Sequence, residues 1–168
     1  MATNPTNRSF LPNNKFEFTI NRLPNLVFFI QSINLPSLTL STAVTQTPYV
    51  QLPKPGGLIS FEELTVNFIL DEDMASWFEI YDWMMNLGNP ESLNKIGSLT
   101  RDPGKNNSIT SDASLLIKTN ANNSNIKITY YDMFPTNLSS VQLTSTEGQD
   151  FLTSSVTFTY TYFKAQRI

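Results

Sequence analysis

The chain has 168 residues, a formal net charge of -3, a pI near 4.8, and neither Cys nor His. The missing thiols and imidazoles exclude disulfides, Cys nucleophiles, Ser-His-Asp triads and the usual zinc sites. The acidic balance and the scattered Lys and Arg residues disfavour a nucleic-acid groove. The length predicts a single domain, residues 1–168, around one core.

Two further properties of the whole chain concern its surroundings. No apolar run approaches the roughly 20 residues that cross a bilayer, and the polar start MATNPTNRSF lacks the basic and apolar regions of a signal peptide. We therefore expect the chain to be made in the cytoplasm of its cell. Only 15% of its residues are charged, against about 25% in an average soluble domain, which predicts that a partner covers part of the surface.

The first part of the chain predicts an arm followed by strands. Residues 1–12 are polar and are interpreted as an N-terminal arm. Apolar and polar residues alternate over residues 16–20, which predicts a first strand. The apolar run LVFFIQSINL, residues 26–35, predicts a second strand buried on both faces, and the alternation resumes at Leu38 in a third.

Residues 46–60 predict a loop or the tip of an extended hairpin. The stretch PYVQLPKPGGLISF combines Pro48, Pro53 and Pro55 with two glycines. Proline removes hydrogen-bond donors from a strand and glycine permits a positive φ, so both residue types favour an irregular or exposed segment. Beyond it, the alternation from Leu64 to Leu70 predicts another strand.

The stretch DEDMASWFEIYDWMMNLG predicts one helix over residues 71–88. Asp71 or Asp73 is expected to cap its N-terminus, and Gly88 to end it in the left-handed conformation. An apolar stripe at helical spacing predicts the core face of the helix. This stripe consists of Met74, Trp77, Phe78, Tyr81, Met84 and Met85.

A second apolar stripe, formed by Ile80, Trp83 and Leu87, begins where the first one ends. One explanation is that the following loop folds back over Trp83. The apolar residues that the loop offers for this are few: Leu93, Ile96, Leu99 and Ile109. The alternative, which we favour, is that Trp83 packs against a neighbouring subunit, so that the second stripe is a candidate subunit interface.

The last part of the chain predicts a surface loop and then several strands. Residues 89–112 are polar and contain Pro and Gly, which is typical of a surface loop. The stretches SLLIKT, IKITYYDM and SSVTFTYTYF alternate as strands and are separated by polar segments. The whole pattern predicts a mainly β fold, an antiparallel β-sandwich or open barrel with one α-helix.

Three segments together resemble the tail tube proteins of contractile-tailed bacteriophages, which are related in fold to the Hcp tube of type VI secretion. The segments are ISFEELTVNFILDED leading into the helix, YDWMMN within it, and MFPTNLSSVQL followed by SSVTFTYTYF. They occur in the order typical of that family. The resemblance implies that Pro135, Thr136 and Asn137 form a structural corner, where proline fixes φ and Asn bonds its own backbone as the chain passes between sheets.

The resemblance also implies the function. Each subunit of a hexameric ring would contribute its hairpin to a β-lined channel, and rings would stack into the inner tail tube of the virion. Pro48, Pro53 and Pro55 of the hairpin are therefore also a candidate subunit interface. DNA would pass through the lumen without specific binding, which suits an acidic chain without basic clusters. The expected partners are further copies of the chain and the tail sheath and baseplate proteins, and neither a cofactor nor catalysis is implied.

Several alternatives remain open from the sequence. A baseplate hub or tube-initiator protein would use the same fold, and a carbohydrate-binding β-sandwich would also be rich in aromatic residues and free of His and Cys. Glu62, Glu63 and the acids of residues 71–73 suggest a glycosidase pair or a Ca²⁺ site. Against both, adjacent strand residues point to opposite faces, and helix capping explains the second acidic group.

Overall fold

A computed structural model describes residues 9–90, 108–145 and 151–168 of the chain. Two helices and nine strands lie in these ranges. In chain order they are β1 Phe16–Ile20, α1 Leu26–Phe29, β2 Ile30–Ile33, β3 Leu38–Gln46, β4 Gln51–Phe61, β5 Leu64–Ile69, α2 Ala75–Leu87, β6 Ser111–Lys118, β7 Ser124–Leu138, β8 Thr153–Thr159 and β9 Tyr162–Arg167. The mainly β fold with antiparallel sheets is as predicted.

Seven strands form one antiparallel sheet that folds over on itself. Its order is β1-β6-β7-β8-β5-β2, and β9 pairs with β7. The 15-residue strand β7 belongs to both halves, because its first part pairs with β6 and β9 and its last part, from Phe134, pairs with β8. Asp132, with φ of 55°, lies between the two parts. We call the half with β1, β6 and β9 the first layer, and the half with β2, β5 and β8 the second layer.

The core lies between the two layers. Alternate residues of each strand point inward, which places Phe18 and Tyr130 of the first layer edge to face at 6.4 Å. From the second layer, Phe158 points inward and its ring lies 6.3 Å from that of Trp83 in α2. Each such buried side chain contributes about 1.5–3 kcal/mol relative to an exposed one.

The prediction of one long buried strand over residues 26–35 is wrong. The segment forms the single turn α1 and then the four-residue strand β2. Only Leu26 is fully buried in α1, whereas Phe28 is 83% exposed. A continuous apolar run fits a buried strand and a buried helical turn equally well, so its periodicity could not distinguish the two.

Residues 38–61 form an extended hairpin, but most of the segment 46–60, predicted as a loop or hairpin tip, is its strand β4, and only residues 47–50 form the tip. The strands β3 and β4 pair only with each other and make a separate two-stranded sheet. Pro53 and Pro55 lie within β4, opposite Val44 and Thr42. They are tolerated because β4 has no second neighbour in the described parts of the chain, so the missing N–H groups fall at a free edge.

The predicted helix begins and faces differently from expectation. It starts at Ala75, and its N-cap position is Met74, which has a φ of 52° and makes no side-chain capping bond, so the capping role given to Asp71 or Asp73 is wrong. Asp71 instead accepts a backbone bond from Met74 N at 3.0 Å. Gly88 does follow the last residue, but its φ is -129° and not left-handed.

The core accepts the second apolar stripe of α2 together with part of the predicted core stripe, since Met74, Trp77 and Met84 pack against it partly buried. Ile80 and Trp83 are 0% and 1% exposed, while Phe78 and Tyr81 of the predicted core stripe are 51% and 39% exposed. The apolar arc of this helix is so wide that its pattern does not determine which part faces the core. Packing against the strands determines the buried face, and the ring of Trp83 lies against that of Phe158 in β8.

Two predicted segments fall largely outside the described residues. These are the arm, of which residues 1–8 are not described, and the loop 89–112, of which residues 91–107 are not described. Leu93, Ile96 and Leu99 belong to the latter range. In the described part of the loop, Ser108 is buried and β6 already begins at Ser111.

Candidate assembly surfaces

The hairpin of β3 and β4 presents an apolar surface that no other part of the described chain covers. Eight large apolar side chains on it are exposed: Leu38, Leu40, Val44, Tyr49, Val50, Leu52, Leu58 and Ile59. Lys54 is the only charged residue between Leu38 and Phe61. Soluble monomers rarely expose a contiguous apolar patch of this kind, so such a surface indicates an interaction site.

A bulge shapes the middle of the hairpin. The register shifts between Leu40, which lies opposite Ile59, and Thr42, which lies opposite Pro55. At this point Leu58 N donates to Ser41 Oγ at 3.2 Å. A Cβ atom on Gly56 would come within 2.6 Å of the backbone oxygen of Ser41, so the close approach of the two strands requires glycine here.

The hairpin is fastened to the barrel where β2 and β5 continue into β3 and β4. Asn34, which follows β2, bonds to the segment that leads into β5. Its Nδ2 donates to Glu63 O at 3.3 Å and its Oδ1 accepts from Thr65 N at 2.5 Å. Glu62 N donates to Ser37 O at 3.2 Å, and Ser37 N donates to Glu62 Oε2 at 3.3 Å. Hydrogen bonding by the Ser37 side chain, and second by its backbone N–H, lowers the pKa of the exposed Glu62 carboxyl.

A tyrosine of the barrel completes this junction. Tyr160 OH donates to Glu62 O at 2.6 Å, and the Phe61 ring lies 6.1 Å from the Tyr160 ring and 5.5 Å from that of Phe163. Burial, with a smaller effect of the Glu62 charge, raises the pKa of Tyr160 to about 12. The phenol therefore stays a donor at any physiological pH, and the direction of the hairpin is tied to the core.

The strands of the second layer contain no charged residue, and the carboxylate of Glu63, at the base of the hairpin, contacts them, since its Oε1 accepts from Thr159 Oγ1 at 3.3 Å. Neither β2, β5 and β8 nor the last part of β7, from Phe134, contains Asp, Glu, Lys or Arg. Hydroxyl and amide side chains occupy the outward positions of this layer, among them Ser32, Thr65, Asn67, Asn137, Ser155 and Thr157. They also bond to each other across strands, as Asn67 Nδ2 does to Ser32 Oγ at 2.8 Å.

The first layer differs in its outer face. Its outward positions include Glu17, Lys118, Lys127 and Lys164. Glu17 and Lys118 form an ion pair at 2.7 Å, and Lys164 Nζ lies 5.8 Å from the centre of the Tyr131 ring. The charges of the barrel strands are thus confined to one of its two layers.

The outward face of α2 is aromatic and acidic. Trp77 stacks on Tyr81 with ring centres 5.2 Å apart and planes inclined by 10°, and Phe78 packs against Trp77 edge on. Beside them lies a groove of about 540 Å³ whose apolar walls include Met84 and Leu138.

No Lys or Arg lies within residues 71–88, whereas five acids do: Asp71, Glu72, Asp73, Glu79 and Asp82. Burial raises the pKa of Glu79, which accepts a bond from Asn25 Nδ2 at 2.7 Å.

The structure places the two predicted interface groups differently. Pro48, Pro53 and Pro55 are exposed on the hairpin, and their place in a subunit interface stays a prediction. Ile80 and Trp83 lie in the core, and Leu87 packs partly buried against it, so the location expected for this stripe is wrong. Trp83 Nε1 donates to Ile109 O at 3.2 Å, and the Arg22 guanidinium lies 4.8 Å from the ring. The described end of the 89–112 loop therefore contacts Trp83, as the alternative explanation required.

The Pro-Thr-Asn segment lies within β7. Pro135 is buried opposite Phe158, and Thr136 Oγ1 donates to Thr157 O at 3.2 Å. The register shifts between Pro135 and Asn137, which makes the segment a bulge next to the point where β7 changes layers.

The acidic residues suggested as a glycosidase pair or a Ca²⁺ site belong to two different structural elements. Glu62 and Glu63 belong to the junction at the base of the hairpin, and Asp71 belongs to the turn before α2. Over the described residues, no group of three or more Asp and Glu side chains is arranged to hold a metal ion. In the same ranges, no helix has both the length and the apolarity to cross a membrane.

Sequence reasoning missed two of these features. The uncharged layer was visible in the stretches LTVNFI and TSSVTFT, which contain no charged residue, although only the pairing of their strands shows that they form one face. The bond from Tyr160 to Glu62 joins residues 98 positions apart, so no local pattern could reveal it.

A folded-over antiparallel sheet with a projecting apolar hairpin and an aromatic helix face defines a mainly β protein with exposed apolar surfaces. A family model described as phage tail tube protein matches residues 3–166. The chain therefore belongs to the phage tail tube protein family, as its sequence motifs predicted.

Individual relatives agree with this family. The chain is 28% identical over 142 residues to the tail tube terminator protein of Enterobacteria phage T4, covering 82% of this chain and 76% of that protein. Its fold is similar to the tube terminating cap of the anti-feeding prophage, with a TM-score of 0.69, 14% identity and coverage of 99% and 97% of the two chains. Hcp1 from Flavobacterium johnsoniae has a TM-score of 0.50 at 9% identity, covering 93% of this chain and 94% of its own.

Proposed function

We propose that the protein is a subunit of a hexameric ring that ends the inner tube of a contractile phage tail. The observation that carries this proposal is the hairpin of β3 and β4, whose eight large apolar side chains are exposed in the isolated subunit. A surface of this kind is covered when the same hairpin of each copy contacts a neighbouring copy. The barrel then serves as the rigid body from which the hairpin extends.

The position at the end of the tube is supported by the relatives. The T4 protein is a tail tube terminator, and the anti-feeding prophage protein is a terminating cap. The family itself is described as tail tube protein, which supports the repeating tube subunit as the second candidate. A baseplate initiator of the same fold is the third; copy number distinguishes the repeating tube subunit from the two candidates that lie at an end of the tube, and position in the tail distinguishes those two.

The uncharged layer suits the wall of a channel for DNA. Its outward hydroxyl and amide groups offer no cation to bind phosphate and no aromatic ring on which bases could stack. The first layer, with its three Lys residues and one Glu, would be a poor wall because each cation would retain the passing polyanion. We therefore assign the outer face of β5 and β8 to the lumen.

The wall assignment predicts how new charges act. Thr157→Lys in β8 should make assembled rings retain duplex DNA, with affinity falling steeply as salt rises, because each ring then presents a circle of cations. Thr129→Lys, at an outward position of the first layer, is the matched control and should leave retention unchanged. Equal retention by both variants in a filter-binding titration, or salt-sensitive retention by the unchanged protein, would contradict the assignment.

The aromatic and acidic face of α2 is the surface that we assign to other tail proteins. It lies apart from the hairpin and combines exposed Phe78 and Tyr81 with uncompensated carboxylates. Aromatic side chains are typical anchors of protein interfaces. Sheath and baseplate proteins are the partners implied by the family resemblance.

The copy number in purified virions tests the proposed position. Quantitative mass spectrometry should find as many copies as belong to one ring, and electron microscopy of the purified protein should show closed rings. A copy number that equals that of the sheath protein would identify the repeating tube subunit instead. A protein that stays monomeric at high concentration would contradict ring formation altogether.

A further inference from the structure

We infer that the groove between the outer strands β1 and β2 receives the β3–β4 hairpin of a second copy of the chain. This inference rests on the proposed ring-forming function and names the surface of the neighbour that the hairpin contacts. The barrel is open at this groove, because β1 and β2 are the two ends of the seven-stranded sheet.

The groove has a volume of about 650 Å³ and lies between two strand edges that have no partner strand within residues 9–90, 108–145 and 151–168. Apolar side chains from both ends of the sheet line it, namely Leu11, Phe16, Ile30, Ile33, Leu35 and Ile117. Phe16, Ile30, Ile33 and Ile117 pack against the core yet remain partly exposed. The core of the subunit is therefore incompletely covered along this line.

The charged residues that line the groove are already engaged. Lys15 Nζ donates to Asn120 O at 2.7 Å, and Glu17 forms its ion pair with Lys118. The other polar lining residues are neutral: Asn13, Asn14, Gln31 and Ser32. An incoming segment thus meets a mainly apolar surface whose two charged side chains already have partners, with backbone groups of two strand edges available for pairing.

The hairpin has the properties that this groove requires. It is extended, carries the single charge of Lys54, and has unpaired backbone groups along both outer edges. An extended segment that enters between strand edges gains main-chain hydrogen bonds, while its alternate side chains enter apolar pockets. The exposed side chains of the hairpin and of the groove would then cover each other.

We assign the occupant to another copy, because no residue of the hairpin lines the groove of its own subunit. The hairpin begins directly after β2, and the bonds of Asn34, Glu62 and Tyr160 hold its base in line with β2 and β5. A hairpin and a groove at different places on one molecule make a head-to-tail contact. Contacts of this type close into rings when the rotation between neighbours permits it.

Directed disulfide formation tests the inference, and the absence of native Cys makes the test clean. Leu11→Cys places a thiol in the groove, and Val44→Cys and Leu52→Cys place thiols on opposite faces of the hairpin. The three side chains are 54%, 53% and 46% exposed, so these substitutions should leave the fold intact. Each single variant is purified with a different tag, and groove and hairpin variants are mixed and oxidised.

Mixed dimers between the groove variant and at least one hairpin variant are the expected product, at several times the yield of either homodimer. Phe151→Cys, 82% exposed and outside the groove, replaces Leu11→Cys as the control and should give few mixed dimers. Mixed dimers at equal yield with the control, or homodimers alone, would overturn the inference.

Electron microscopy of the same samples separates this inference from the proposed function. Closed rings without groove-to-hairpin disulfides would overturn the docking site and leave ring formation standing. Groove-to-hairpin disulfides in open chains would support the docking site and contradict the closed ring. Samples with neither rings nor mixed dimers would contradict both.

Discussion

The barrel and the hairpin both contain many apolar residues but use them in opposite ways. In the barrel, Phe18, Phe68 and Phe158 are at most 2% exposed, whereas the hairpin leaves Tyr49 98% and Leu58 67% exposed. Burial in the barrel stabilises one subunit, and the exposed side chains of the hairpin gain the same stabilisation only against another chain. We therefore assign folding to the barrel and, in the proposed ring, assembly to the hairpin.

The largest expected effect concerns the barrel. Trp83→Ser removes the ring that contacts Phe158, Arg22 and the carbonyl of Ile109, and leaves a cavity, which typically costs about 3–5 kcal/mol. This is a large fraction of the 5–15 kcal/mol that stabilises an ordinary domain. We expect the variant to be unfolded or to unfold at much lower urea concentration, as measured by circular dichroism.

The matched control is Phe78→Ser on the exposed face of the same helix, which should change the free energy of unfolding by no more than about 0.5 kcal/mol. A folded Trp83→Ser protein that fails only in assembly would show instead that Trp83 belongs to a subunit interface.

The second prediction concerns the shape of the hairpin. Gly56→Ala brings a methyl group against the backbone of Ser41, and the two strands must separate. Overpacking of this kind costs about 1–3 kcal/mol, here within the hairpin alone. The barrel should keep its melting temperature, while the concentration at which rings form should rise at least about tenfold.

Gly57→Ala is the control for this change, because a Cβ atom at residue 57 meets no atom within 4 Å. Light scattering across a concentration series measures both variants. Identical assembly of the two proteins would show that the bulge does not determine the contact surface.

The third prediction concerns the junction between the two parts. Tyr160→Phe keeps the aromatic contacts with Phe61 and removes the bond to Glu62 O, which should cost about 1 kcal/mol. The raised pKa of Tyr160 means that folding favours the neutral phenol, so its contribution is complete below pH 10 and is lost as the pH rises through about 12. The variant should therefore lose less stability than the unchanged protein over this range in a pH series of thermal melts. Equal losses would show that Tyr160 does not carry the effect.

The strands of the barrel could be predicted from sequence because their signal is local. The alternation of residues 16–20 and 64–70 follows directly from one buried and one exposed face. The face of α2 could not be predicted, since apolar residues surround most of the helix and only the distant Phe158 and Ile109 select the Trp83 side. The same limit applies to residues 26–35, where contacts with other elements determine that the apolar run forms the turn α1 and then the strand β2.

The position of the hairpin in the chain could be predicted from the sequence, but its geometry could not. Pro48, Pro53 and Pro55 marked the hairpin because proline is unfavourable inside a sheet. The register that places Gly56 against Ser41, and the groove between β1 and β2, arise from pairing between residues far apart in the chain.

The measurement that tests the separation of folding and assembly most directly is amide hydrogen exchange in the isolated subunit and in assembled rings. Residues 38–61 should exchange quickly in the subunit, because two strands without further neighbours are only marginally stable, and slowly in the ring. The strands β5, β6, β7 and β8 should be protected in both states. Equally slow exchange of residues 48–57 in subunit and ring would contradict the account, since the hairpin would then be stable without a partner.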